Sequence, residues 1–524
     1  MEFPRRLRQG VSVLALLGLF LPMSAVAAGA DTAPVVDTDL GKLRGETYGK
    51  GGVFKGIPFA APPVGPLRWQ AAAPAAPWDG VRDATQFGAI CTQPVRPGAT
   101  DAPAQSEDCL TLNVASPDLS ASKKLPVLVS IHGGAYFVGS NRYLMDKGLP
   151  ALVDQGVVLV SPNYRVGRMG FFAHPALAAE AKAGAKDGVV GNYWLSDLIA
   201  SLQWVRRNIA QFGGDPDNVT ILGCSAGGSA VNALTSSPVP RGLFRHASIH
   251  SGGGFFNATR TLDVAQQQGL AYAQRVGVEG SDAAALAKLR ALTPAQVLEG
   301  DKGPPEFGAI IDGKLLNRQL SATFARGEMA RVPIISGSTS DEASVFGLMG
   351  FDAKVLDERF GIKMDSLKPA YGALDDKEML RQVQTDFIFT SAAMGMAGLA
   401  SRTGQPAYGY HFDYVAQDQR GKVAGVPHCG DMPYIFAPEG GRDGKPLQGK
   451  DAEIARMMQG YFLNFIRTGD PNGSGLPAWP RFKLETATPL VIADQTAGVP
   501  GFRATQLAPW YAKWSAETGE TLSR

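Results

Sequence analysis

Val219-Thr220-Ile221-Leu222-Gly223-Cys224-Ser225-Ala226-Gly227 is the stretch on which the reading of this chain turns. Val219 to Leu222 form a short apolar, β-branched run, the pattern of a strand buried on both faces. Gly223 to Gly227 fits G-x-S-x-G, and from Ser229 to Leu234 the chain turns helical. In a chain with 63 glycines the five-residue pattern alone carries little weight. Its setting carries more: a strand, a tight turn and a helix expose a serine hydroxyl at a helix N-terminus, where the dipole favours developing negative charge. A side chain at either glycine would clash in so tight a turn.

Outward from this turn, strands and helices alternate. Leu125–Ile131 and Val157–Ser161 are further short runs rich in Val and Ile, and Val332–Ile335 and Ala407–Phe412 read as later strands. Leu195, Leu198, Ile199, Leu202, Val205 and Ile209 recur with a helical period, and Ile454–Ile466 reads as a late helix. Such alternation predicts an α/β fold with a mainly parallel sheet covered by helices. The stretches from Leu262 to Arg331 and from Lys354 to Met396 are helical in pattern and are candidate insertions capping the sheet. Ala60 to Pro77, rich in alanine and proline, reads as an irregular surface loop. No internal repeat or low-complexity linker divides the chain.

A serine hydroxyl attacks a carbonyl only when a base takes its proton, and the base needs an orienting acid. Behind an elbow of this kind the chain order is serine, acid, histidine. Of six histidines only His411 and His428 lie far enough downstream. His411 falls inside an expected strand, whereas His428 lies in the loop Gly425-Val426-Pro427-His428, where a base at a strand's C-terminal end belongs. For the acid, Asp341-Glu342 follows the strand Val332–Ile335 and the small-residue loop Ser336–Ser340; Glu342 is preferred and Asp341 is the fallback. The oxyanion formed on attack needs backbone N–H donors. Ile131-His132-Gly133-Gly134-Ala135 follows a strand and resembles the H-G-G-G loop of esterases, so Gly134, Ala135 and Ala226 are the expected donors.

With these residues assembled, the sequence resembles the type-B carboxylesterases, from about Gly41 to about Phe482. Phe212-Gly213-Gly214-Asp215-Pro216, leading through Val219 and Ile221 into Gly223–Gly227, fits that family's nucleophile signature at every defined position. Ser106-Glu107-Asp108-Cys109-Leu110-Thr111-Leu112-Asn113-Val114 matches its second signature. Gly56-Ile57-Pro58-Phe59-Ala60, Asn163-Tyr164-Arg165-Val166-Gly167 and Thr468-Gly469-Asp470-Pro471-Asn472 support it. The resemblance implies an α/β-hydrolase fold with helical caps, no metal and no organic cofactor, and Ser225, Glu342 and His428 as nucleophile, acid and base. It also implies a Cys91–Cys109 disulfide, an Arg68–Glu107 salt bridge, and a supporting role for Ser251.

The departures matter too. Relatives usually carry Glu before the nucleophile and Gly after the histidine; here Cys224 and Cys429 stand there. Nucleophile and base must approach within about 2.6–3.2 Å, so these cysteines are neighbours in space and are expected to form a disulfide tying the elbow to the histidine loop. The loop Thr92–Asp108 has no aromatic residue to hold a choline cation, which argues against choline esters. Trp194 stands where relatives usually carry a small residue. Tyr136, Trp194, Phe255 and Phe256 lie near pocket-forming motifs and are expected to bind a bulky or aromatic substrate.

Composition bounds the rest. A 524-residue chain, 45% hydrophobic, with 50 basic and 48 acidic residues and no long single-sign run, offers no footprint for nucleic acid. Arg5, Arg6 and Arg8, the apolar run Val11–Leu21 and Ala25-Val26-Ala27 read as a signal peptide over residues 1–30, leaving 31–524 as one catalytic domain in the periplasm or outside the cell. No later run has the roughly 20 apolar residues of a membrane span. The expected partner is a small ester; oligomeric state is open. Two other readings keep the fold: a catalytically silent adhesion protein, disfavoured by the presence of Ser, Glu and His together, and an acyltransferase, which the sequence leaves open.

Overall fold

The computed structural model describes residues 33–95, 102–184, 188–301, 307–348, 350–436 and 447–522; the expected signal peptide lies outside them. Eleven strands build one twisted sheet. In chain order they are β1 Glu46–Tyr48, β2 Gly51–Pro58, β3 Thr111–Ser116, β4 Leu125–Ile131, β5 Val158–Pro162, β6 Gly214–Cys224, β7 His246–His250, β8 Ile334–Thr339, β9 Ala407–Phe412, β10 Leu490–Ile492 and β11 Ala497–Gly498. Their spatial order is β11-β10-β9-β8-β7-β6-β4-β5-β3-β2-β1. The seven strands from β5 to β10 run parallel, and the strands at both flanks pair antiparallel. The parallel pairing follows from the alternation of strands and helices, since each crossover lays a helix against the sheet.

Every residue of β5, β7, β8 and β9 is buried, as expected of strands covered on both faces. The two faces separate by the period of two. Val127, Val129, Ile221 and Ile249 join a core with Leu195, Leu198, Ala230 and Leu234 of the helices α1 Tyr193–Asn208 and α2 Ala226–Ser236. Leu128, Leu222, Ile335 and Tyr410 join a second core with Ile454, Met458, Phe462 and Phe465 of the helix α3 Gly449–Thr468.

The regions expected to cap the sheet are helical, with Leu262–Arg275, Ala283–Ala291 and Leu320–Ala325 in the first and Ala353–Phe360, Met364–Tyr371 and Asp376–Thr385 in the second. The Ala60–Pro77 stretch is irregular apart from a single 3-10 turn, but it is not wholly a surface loop. Arg68 and Trp69 are buried in it, and the Trp69 indole N–H donates to Arg168 O at 2.9 Å.

Candidate active site

β6 stops at Cys224, Ser225 takes φ 60° and ψ −128°, and α2 begins at the next residue. A left-handed φ costs a non-glycine residue about 1–2 kcal/mol, and such strain persists only where the surroundings impose it. Here a Cβ on Gly223 would sit 2.3 Å from the Gly227 backbone, and one on Gly227 would sit 2.2 Å from Ile131 O. The Ser225 N–H donates to His250 O at 3.0 Å. The hydroxyl is thus carried at the C-terminal edge of the sheet and the N-terminus of a helix.

At the end of β8 the carboxylate of Glu342 is fully buried. One of its oxygens accepts from Thr339 N at 2.7 Å, and the other makes a short hydrogen bond with His428 Nδ1. Asp341 turns away: its carboxylate lies 3.4 Å from Arg381, and burial, opposed by that arginine, raises its pKa. His428 is held by its own N–H to Ser344 Oγ at 2.9 Å and by its ring on Phe389, 4.8 Å between centroids. Its Nε2 is buried and has no hydrogen-bond partner among the described residues, so the expected hydrogen bond to Ser225 Oγ is not formed although both residues line one cavity. With Nδ1–H committed to Glu342, Nε2 is the nitrogen left to accept a proton. His411, set aside as a strand residue, is buried in β9, with Nδ1 3.1 Å from Ser338 Oγ.

Gly133 lies against the elbow, where a Cβ would meet Cys224 O at 2.7 Å and Ser225 Cβ at 3.2 Å. The next three residues all have positive φ: Gly134 at 110°, Ala135 at 54° and Tyr136 at 59°. The N–H groups of Gly134, Ala135 and Ala226 make no backbone hydrogen bond among the described residues, and all three residues line one cavity. Burial pushes His132, at the start of this loop, down to about 4, so its ring stays neutral.

Disulfides join Cys91 to Cys109 and Cys224 to Cys429, with Cα atoms 4.9 and 6.1 Å apart. Arg68 grips Glu107 with two hydrogen bonds of 2.6 and 2.5 Å. Ser251 is buried and its N–H donates to Gly337 O at 2.8 Å, while its hydroxyl has no partner among the described residues. Sequence reasoning missed a second link between elbow and histidine loop. His250, whose carbonyl holds Ser225, has Nδ1 2.9 Å from Asp431, and the Tyr410 hydroxyl donates to the same carboxylate at 2.6 Å. All three are fully buried. Nothing local marks this trio in the sequence, because it gathers β7, β9 and a loop 181 residues on from His250.

Ser225, His428, Gly134, Ala135 and Ala226 all line one cavity of about 1310 Å³. Of the four expected substrate-binding aromatics only Tyr136 lines it. Trp194 is fully buried behind Tyr136 and stacked on Phe171. Phe255 packs on Phe324, and Phe256 on Trp514 and Tyr511. The aromatic lining comes instead from Phe137, Tyr143 and Phe307, from Phe346 and Phe351 in the segment after β8, and from Phe360 and Phe389 of the second cap. Among the described residues no group of three or more His, Cys, Asp or Glu could hold a metal ion, and no helix is long and apolar enough to cross a membrane.

The sequence profile of the carboxylesterase family matches residues 32–372 and 372–510. Fumonisin B1 esterase of Sphingopyxis macrogoltabida is 33% identical over 479 residues, 87% of this chain and 86% of that protein. Para-nitrobenzyl esterase of Bacillus subtilis is 32% identical, covering 88% of this chain and 96% of its own length. Among solved structures, the Geobacillus stearothermophilus carboxylesterase EST55 aligns with a TM-score of 0.78 at 31% identity, over 91% of this chain and 99% of that one.

Proposed function

The chain belongs to the carboxylesterase family, has its α/β-hydrolase fold and is a carboxylic ester hydrolase, and from that premise we propose that it is an exported serine esterase working through Ser225, His428 and Glu342. His428 Nε2 takes the Ser225 proton as Oγ attacks the ester carbonyl, and Glu342 holds the imidazolium that forms. The tetrahedral oxyanion accepts hydrogen bonds from the N–H groups of Gly134, Ala135 and Ala226. Collapse expels the alcohol, which leaves with the proton from His428. Water, activated by the same histidine, then adds to the acyl-enzyme and releases the acid.

The observation that carries this reading is the pairing of buried Glu342 with His428, whose second ring nitrogen is uncommitted and which lines the same cavity as the strained serine. Two aromatic walls in that cavity support bulky or aromatic esters. The proteins named for para-nitrobenzyl esters and for phenmedipham, at 32% identity each, fit that preference. Two disulfides and the leader-like residues 1–30 support export to an oxidising compartment, with residues 31–524 as the catalytic unit.

The test is release of p-nitrophenol from acetyl and aromatic acyl esters by the protein and by Ser225→Ala. The variant is expected to lose about five to six orders of magnitude in kcat, and stoichiometric phosphonylation of Ser225 should block the parent protein. Turnover that survives Ser225→Ala would remove the reading.

A further inference from the structure

The oxyanion loop holds an unfavourable backbone. Gly134, Ala135 and Tyr136 are three consecutive residues with positive φ, two of them carrying side chains. Such a run persists only if its surroundings over-determine it. Its upstream end is pinned by Tyr164, whose ring stacks on His132 at 4.3 Å and whose hydroxyl donates to His132 O at 2.9 Å. Its downstream end is pinned by Gln93, which exchanges hydrogen bonds of 2.8 and 2.9 Å with Gly139. In the middle, Tyr136 O accepts from Gly167 N at 2.7 Å.

The remaining support is a ring behind the loop. Trp194, at the start of α1, lies 4.9 Å from the Tyr136 ring, 5.2 Å from Phe171 and 6.4 Å from Tyr164. It therefore meets the loop's own aromatic, the Tyr164 that pins its upstream end, and Phe171, four residues on from the Gly167 that holds its middle. Its side chain is fully buried, and its indole N–H has no hydrogen-bond partner among the described residues. The Tyr136 ring rests on two rings, Phe171 at 5.0 Å and Trp194 at 4.9 Å, and Phe171 itself stacks on Trp194, so a small residue at 194 would remove one backing ring, loosen the other and leave the loop freer to relax toward ordinary φ. Relaxation would turn the Gly134 and Ala135 N–H groups away from the carbonyl oxygen.

We infer that Trp194 is a positioning residue for the oxyanion hole, acting through Tyr136 without touching substrate. The inference rests on the catalytic reading above. A loop that sags by about 1 Å costs on the order of 100-fold in rate, because donors help only when aimed at the oxygen of the transition state. Substrate binding in the ground state depends little on those donors.

The experiment compares Trp194→Leu and Trp194→Phe with the parent protein on p-nitrophenyl acetate, and measures inhibition by an aryl trifluoromethyl ketone, which serine converts to an oxyanionic hemiketal. Thermal melts check that each variant is folded. For Trp194→Leu the expected result is a kcat about 10- to 100-fold lower, a KM within about twofold, and trifluoromethyl ketone affinity weakened by the same factor as kcat. Trp194→Phe, which keeps a ring against Tyr136, should restore most of all three. A folded Trp194→Leu with unchanged kcat, or with KM raised and ketone affinity unchanged, would overturn the inference. Should Trp194→Leu fail to fold, Trp194→Met, which fills more of the space but has no ring to set against Tyr136, gives the same comparison: parallel losses in kcat and ketone affinity support the inference, and no loss in either overturns it. Turnover retained by Ser225→Ala would overturn the parent reading with it, whereas Ser225 dependence beside an indifferent Trp194 overturns this inference alone.

Discussion

Asp341 and Glu342 are adjacent acids after the same strand, yet their surroundings set them different tasks. Glu342 is sealed from water between Thr339 N and His428, and Asp341 faces Arg381. Glu342→Gln keeps the shape but presents an amide to Nδ1, which allows the wrong tautomer and withdraws the charge that steadies the imidazolium. By analogy with the acid of serine proteases, kcat should fall by about 10⁴. Asp341→Asn should stay within a few-fold of the parent protein, since it weakens only a partly exposed contact to Arg381, of a kind worth about 1 kcal/mol or less. Steady-state rates on one p-nitrophenyl ester compare the two, and equal losses would refute the division of labour. The sequence preferred Glu342, the acid that the structure sets against His428, but could not aim either carboxylate, because direction is set by the 3-10 turn that starts at Glu342. The same limit explains the pocket residues. Tyr136, Trp194, Phe255 and Phe256 were chosen for nearness to motifs, and nearness along the chain does not say which way a ring points. Three of the four turn into packed clusters.

Elements were legible where their pattern was simple. The buried strands β4, β5, β6, β8 and β9 announced themselves as short apolar runs, and each packs into a core shared with helices; β7, His246-Ala247-Ser248-Ile249-His250, gave no such run because polar residues alternate along it. β2 did not, because Gly51-Gly52-Val53-Phe54-Lys55-Gly56-Ile57-Pro58 carries three glycines and a proline, residues that argue against a strand. The structure absorbs them in an irregularity: Gly56 takes φ 65°, and the register shifts between Phe54 and Ile57. The link between elbow and histidine loop was legible from the cysteines flanking Ser225 and His428, and the His250–Asp431–Tyr410 link was not. These two ties act together on one geometry. The Cys224–Cys429 bond spans 205 residues, for which loop-closure entropy gives about 5 kcal/mol, against about 3 for the 18 residues of Cys91–Cys109. Replacing both Cys224 and Cys429 with serine should therefore lower the melting temperature and, because the segments that carry Ser225 and His428 lose the bond between their neighbours, lower kcat by about 10-fold or more. Replacing Cys91 and Cys109 should lower the melting temperature less and leave kcat unchanged. A Cys224→Ser, Cys429→Ser protein that is less stable yet fully active would show that the bond serves the fold and not the site.

At the scale of the whole molecule, acid should loosen the fold through its interior histidines. His246 in β7 and His411 in β9 are buried. Burial, reinforced by Arg245, lowers His246 to about 4, and burial, reinforced by Arg503, lowers His411 to about 3. In the unfolded chain both titrate near 6.5. Between pH 6.5 and about 4 the unfolded chain therefore binds protons that the folded one refuses. Stability rises with pH in that window, is fully present above 6.5 and is lost on acidification. Each histidine contributes a slope of up to about 1.4 kcal/mol per pH unit. Asp341 and Asp386, raised by burial against the pull of Arg381 and Arg503 respectively, work in the opposite direction, so the net slope of the parent protein does not isolate the histidines. A variant does. His411→Asn keeps a polar group beside Ser338 but cannot take a proton. Its unfolding free energy, from urea titrations with disulfides intact, should fall less steeply than the parent's between pH 6.5 and 4.5, and the two curves should converge as pH drops. Curves that stay parallel across that range would mean that His411 is protonated equally in both states, and that the neutral interior inferred for the sheet is wrong at this position.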